Sequence, residues 1–242
     1  MGVEELKGTF RKRLEESLKK LERLGIPRNL IDLNLDQIAQ IIIEALKKVN
    51  YYIIPGHEIE HCFRVAELAT FIAFREGADV RKIFLASLLH DIARVIEERA
   101  GGDHAELSAK IAYEVLSNEG FERNFASSVA KIIEEHRYSR DKKPSSLESA
   151  ILQDADKLDA LGFIGAARIF AYGGYKGREI YDPFNMRDKG SLAHFYHKIL
   201  KLADLMNTKT GRSIAEKRAN KIRIFIKTML EEINMEDLLE SN

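Results

Sequence analysis

The chain has 242 residues, and its 38 Lys and Arg balance 38 Asp and Glu. That balance excludes a strongly basic nucleic-acid binder, and duplex DNA is not an expected partner. Apolar residues at 45% allow a sizeable core and exclude wholesale disorder. Cys62 is the one cysteine, so no internal disulfide and no thiolate metal cluster can form. No apolar run approaches the roughly 18 residues a membrane helix needs, and the first residues are charged at once. The expectation is a soluble, reduced, cytoplasmic protein. Abundant Lys and Glu beside sparse Gln hint at a thermophile.

The predicted elements are helices throughout. From Val3 to Leu24, Phe10, Leu14, Leu18 and Leu21 fall on one face, and Gly25 and Pro27 end the run. Asn34 and Gln37 read as a capping box for a helix to about Lys48. A short loop through Pro55 and Gly56 leads to a helix over Glu58 to Glu76, ended by Gly77. Asp79 caps the next helix, predicted to run from Val80 to Glu98. Its centre, Ile83 to Leu89, is apolar nearly all round and marks a helix inside a bundle. Asp103 caps a helix to about Asn118, and Glu122 to about Tyr138 forms another. After a polar break over Arg140 to Pro144, Ser145 and Glu148 open a long helix to about Phe170. Tyr172 to Gly190 is Gly-rich and reads as irregular; two helices, Ser191 to Asn207 and Thr210 to Asn234, close the chain. The fold class is all-α: residues 1–50 form a helical extension, and residues 51–242 form one helical domain.

The chemistry concentrates in His61, the pair His90 and Asp91, and Asp154. His90 and Asp91 follow directly on the apolar run, where an unpaired carboxylate would cost several kcal/mol. Asp91 must meet a cation, a set of hydrogen bonds or a metal. Two imidazoles and two carboxylates from three helices would make a site for a divalent ion. The plainer alternative is a satisfied core histidine beside an ion-paired carboxylate.

Beyond these four residues, the chain carries His61 with Arg64 and Val65, Leu88 to Ile92, His104 to Ala109, Asp154 to Ala160, Phe195 with Lys198, and Met206 to Thr208. This ordered set resembles the HD superfamily of metal-dependent phosphohydrolases, in a small hydrolase branch, over roughly residues 50–235. One departure is Glu58, where the branch usually carries Asp; the role of His57 beside it is left open.

The resemblance implies an HD-domain bundle in which His61, His90, Asp91 and Asp154 hold one divalent cation, Mn, Mg, Ni, Fe or Zn. Metal coordination would activate a water for attack on phosphorus, with Asp91 bridging metal and water. The substrate expected is a small phosphoester such as a nucleotide. Lys157, at i+3 from Asp154, is the candidate phosphate-holding catalytic cation; its alternative is a structural ion pair. His104 and His136 could hold a second metal with Asp91 bridging, touch substrate, or lie on the surface. Arg64 and Arg168 could hold phosphate or serve as ion-pair partners. The segment from Tyr172, with Tyr175, Lys176, Arg178 and Tyr181, could suit a nucleotide base and phosphate, or be a solvated loop. Two rivals remain at this point: a di-iron oxygenase on the same fold, and a non-catalytic metal- or nucleotide-binding regulatory module. A homo-oligomer is compatible with either.

Overall fold

The computed structural model describes residues 2–137 and 143–241. Of the predicted polar break, residues 140–142 lie outside the described residues; the helix expected to reach about Tyr138 ends earlier, at Glu134. Every regular element among the described residues is helical, so the fold is all-α. The chain divides into two compact units, Met1–Asp156 and Lys157–Asn242.

The first unit begins with α1 (Val3–Arg23), which buries Phe10, Leu14, Leu18 and Leu21, and α2 (Leu35–Lys48) packs against it. Asn34 caps α2 by accepting from the backbone N–H of Asp36 and Gln37. The reciprocal half of the expected capping box is absent: the Gln37 amide donates instead to the carbonyl of Glu119, 2.8 Å away. α3 (Ile59–Glu76) ends on Gly77 at φ 77°, a left-handed conformation that glycine adopts without strain. Asp79 caps α4 (Val80–Leu89), in which every residue from Ile83 to Leu89 is buried. α5 (Arg94–Ala100), α6 (His104–Asn118) and α7 (Arg123–Glu134) follow, with α4 packed on α3 and α7, and α6 on α7.

The helix expected from Val80 to Glu98 is interrupted. At its break Ile92 donates to Leu89 and Arg94 to Asp91, both three residues back, and Ala93 donates to the Ser108 hydroxyl of α6. Ser108 satisfies an amide that a continuous helix would have used itself. The tighter turn re-aims His90 and Asp91 relative to the apolar stretch before them.

α8 (Leu147–Asp159) crosses the boundary between the units. It was expected to continue to Phe170, yet it stops. Ala160 and Leu161 donate three residues back, and Gly162, at φ 79°, opens α9 (Gly162–Tyr175). α9 also takes up the first residues of the segment read as irregular. A Cβ on Gly165 would collide with the Ala160 carbonyl, so only glycine fits that approach. In the second unit α9 packs on α10 (Gly190–His197) and α11 (Lys209–Ile233), with a 3-10 turn at Ile199–Leu205 against α10 and α11.

Candidate metal centre

The first unit gathers five histidines and two aspartates. His61 comes from the first turn of α3, and His57 from the loop before it. His90 and Asp91 come from the α4–α5 break, and His104 opens α6. His136 follows α7, and Asp156 lies on α8. The donor atoms of His57, His61 and Asp91 lie within 4.8 Å of one another, as do those of His61, His90 and Asp156, and those of His90, Asp91 and His136.

Asp91 is the hub. Its Oδ2 lies 3.4 Å from His57 Nδ1, 3.6 Å from His61 Nε2 and 4.0 Å from His90 Nε2. Its Oδ1 lies 3.2 Å from His104 Nε2 and 3.6 Å from His136 Nε2. Asp156 Oδ1 stands 3.3 Å from His61 Nε2 and 3.9 Å from His90 Nε2. Donors held about 2.1 Å from a shared ion stand about 3–4 Å from each other, the spacing found throughout the cluster.

Hydrogen bonds on the far side of the rings set which nitrogen faces inward. His90 Nδ1 bonds the Ser87 carbonyl at 2.8 Å, and His136 Nδ1 bonds the Ile133 carbonyl at 2.7 Å. A carbonyl only accepts, so both Nδ1 atoms carry a proton and both Nε2 atoms are the ones that point into the cluster. His104 Nδ1 bonds the Glu97 carboxylate at 2.8 Å, and Glu97 is itself held by Arg94 and Arg137 at 2.7 and 2.8 Å. Outer hydrogen bonds of this kind orient imidazoles toward metals. His90 Nε2 is fully buried with no hydrogen-bond partner, as expected of an atom kept for a ligand. The cluster's donors fit a divalent ion.

Electrostatics agree. Burial works against ionising Asp91, but His90, His104, His136 and His57 together hold its carboxyl well below the usual range. Burial likewise opposes ionising Asp156, and His61 and His90 overcome it. Burial pushes His90 down to about 4, although the Asp91 charge pulls the other way. His104 is lowered by burial, whereas at His136 burial is overcome by the hydrogen bond and charge of Asp91 together with the charge of Asp156 and the bond to Ile133, and its pKa is raised. The two face each other, Nε2 to Nε2, at 3.3 Å. Two lone pairs at that distance would repel, and the raised pKa of His136 favours a proton between them when no ion is bound. A cation would take that proton's place.

His61, His90, Asp91, His104 and His136, all singled out from the sequence, thus come together. Asp154 does not join them: it is fully buried and in none of the donor groups. Two residues along a helix turn it by about 200°, so with Asp156 facing the histidines, Asp154 faces away. Asp156, rather than Asp154, brings its carboxylate to His61 and His90. Lys157 also departs from expectation. It is 3% exposed and donates to the Leu205 carbonyl at 2.7 Å, so its ammonium is built into the second unit's core. Arg64 is half-buried one turn after His61. Arg168 pairs with Asp159 at 2.9 Å, the ion-pair alternative. Tyr175 packs near Tyr172, Lys176 lies 5.5 Å from both rings, and Arg178 is exposed. Two cluster residues had no role assigned from the sequence. His57 lies outside any helix, and Asp156 shares its segment with two other aspartates. No described helix is long and apolar enough to cross a membrane.

The HD domain family model matches residues 59–161. The uncharacterised protein YpgQ of Bacillus subtilis is 37% identical over 183 residues, 74% of this chain and 85% of YpgQ. The crystal structure of YpgQ in complex with ADP matches with a TM-score of 0.64 at 35% identity, covering 82% of this chain and 95% of that one. An HD-superfamily hydrolase from Bacillus thuringiensis matches with a TM-score of 0.63 at 36% identity, covering 81% of this chain and 98% of that one. Ribonuclease Y of Sulfurovum sp. is 28% identical over 132 residues, 54% of this chain but 24% of the ribonuclease. By these matches the chain belongs to the HD superfamily of hydrolases, in the branch that contains YpgQ.

Proposed function

We propose that this protein is a divalent-metal-dependent phosphohydrolase that cleaves a small phosphoester of the nucleotide class. The observation that carries the reading is Asp91, whose two carboxylate oxygens face different imidazoles while Asp156 closes the other side of His61 and His90. His61, His90, Asp91 and Asp156 would hold the ion. Once bound, the ion supplies Lewis acidity to a phosphoryl oxygen and lowers the pKa of a water it holds. The chain's residues do the rest. Asp91 and Asp156 neutralise the ion's charge, and Ser87 and Ile133 lock the rings of His90 and His136. Glu97 fixes His104. Arg64, one turn beyond His61, is the candidate for holding a phosphate oxygen. The complex of YpgQ with ADP supports a nucleotide as the substrate class.

A second ion is favoured by one specific feature: Asp91 Oδ1 faces His104 and His136, while Oδ2 faces His57 and His61. Such a bridging carboxylate also suits the di-iron alternative. The deciding experiment strips the protein with chelator and reloads it with Mn, Mg, Ni, Fe or Zn. Phosphate release from nucleoside mono-, di- and triphosphates is then followed beside oxygen uptake. Metal-dependent phosphate release without oxygen uptake is the expected result. A loaded protein that releases no phosphate from any of them contradicts the reading.

A further inference from the structure

A cavity of about 330 Å³ lies at the far ends of three helices that serve the histidine cluster, lined by Gln37, Arg81, Gly120, Phe121, Glu122 and Phe125. Arg81 is in the first turn of α4, which ends beside His90. Gly120 follows α6, which opens with His104; Phe125 is in the first turn of α7, which leads to His136. At 1.5 Å per helical residue, Arg81 and His90 stand about 13 Å apart along α4. The cavity is therefore separate from the cluster.

Arg81 is half-buried there. Its guanidinium carbon lies 5.2 Å from the Phe125 ring centre and 5.8 Å from that of Phe121. The two rings stack on each other, 5.3 Å apart. Ring attraction acts on the cation as a whole, whereas guanidinium N–H groups lie in its plane and still need acceptors. Arg81 Nε is buried and has no hydrogen-bond partner. Among the described residues no carboxylate pairs with this guanidinium, Glu122 included, and Glu122 itself is exposed. Nε is closed off from solvent, so a ligand in the cavity meets this guanidinium through its terminal amino groups, and a half-buried cation on an aromatic wall without a carboxylate partner suits an oxyanion.

We propose that this cavity binds a small oxyanion, a phosphate or a carboxylate, through the in-plane donors of Arg81. A planar fork matches two oxygens of such a group. The volume lies at the small end of ligand pockets, which run from about 300 to 1,000 Å³, so the ligand is a small anion rather than a polymer. Gln37 refines the chemistry. Its amide N–H₂ donates to the Glu119 carbonyl, leaving the side-chain oxygen for a hydroxyl of the ligand.

The test titrates the full-length, chelator-treated protein with inorganic phosphate, and separately with acetate, by calorimetry. Wild type is compared with Arg81→Met and Arg81→Lys, with thermal unfolding confirming that each folds. All three carry the same histidine cluster, so differences among them report Arg81. The expected result is binding of at least one anion, weakened about tenfold or more in Arg81→Met and less in Arg81→Lys. The stronger of the two anions identifies the ligand as phosphate or carboxylate. If Arg81→Met does not fold, weaker binding by Arg81→Lys supports the site and unchanged binding overturns it. Equal affinity in wild type and a folded variant, or no binding of either anion by wild type, also overturns it.

Discussion

Asp156 and Asp154 sit two residues apart in one helix, and their replacement by asparagine should have opposite consequences. Asp156→Asn keeps the side-chain volume but removes the anionic oxygen 3.3 Å from His61 Nε2 and 3.9 Å from His90 Nε2. Loss of residues that merely orient ligands costs about 10–100-fold in metal affinity. Loss of a carboxylate donor should exceed that range. The expected fall is more than 100-fold, or more than about 2.7 kcal/mol at about 1.36 kcal/mol per decade. Asp154 is fully buried but faces away, so Asp154→Asn should leave affinity within about twofold while lowering thermal stability by the roughly 1–3 kcal/mol of a disturbed buried polar group. The assay is competition for Mn or Zn against a chromophoric chelator, with thermal unfolding followed in parallel. If Asp154→Asn loses the metal and Asp156→Asn keeps it, the reasoning about the helix face is refuted.

Further outcomes follow from the same geometry. Asp91→Ala should abolish both bound metal and metal-dependent phosphate release while far-UV circular dichroism stays helical, and retained activity in the folded variant would sink the mechanism. Binding of an ion between His104 and His136 should displace a proton. Asp91 raises the His136 pKa against its burial and so favours the protonated ring, whereas burial lowers His90 to about 4 and leaves it neutral. Affinity should then fall as pH drops through the His136 range, and calorimetric heats should vary with buffer ionisation enthalpy; heats independent of buffer contradict the assignment. Lys157→Met should lower the melting temperature through loss of the 2.7 Å bond to Leu205, with metal affinity and KM unchanged. A raised KM at normal stability would return Lys157 to the substrate.

Local signals made most helices legible. The stripe of Phe10, Leu14, Leu18 and Leu21 marks α1, and Asn34, Asp79 and Asp103 each accept from a backbone N–H where their helices begin. His90 and Asp91 stand out because polar groups close a buried apolar run. The break after Leu89 was not legible, because the hydroxyl that completes it, Ser108, comes from another helix. The choice among Asp154, Asp156 and Asp159 was not legible either. Ile151, Leu152, Ala155 and Leu158 share one buried face, and Asp154 and Asp156 flank it on opposite sides, each about 100° from its centre; Gln153 and Lys157 are buried on the remaining face, so the pattern of apolar residues does not choose between the two aspartates. His57 escaped because it sits in the turn after Gly56, at φ 83°, where helical periodicity says nothing about direction. Lys157 was read from its spacing to Asp154, and it indeed follows that face of the helix, but that face is not the one turned to the histidines.

The most direct measurement is anomalous X-ray diffraction from crystals of the full chain loaded with Mn or Zn. The account predicts an anomalous peak about 2.0–2.6 Å from His61 Nε2, His90 Nε2 and carboxylate oxygens of Asp91 and Asp156. A peak at Asp154, or an ion bound away from His90, would contradict it.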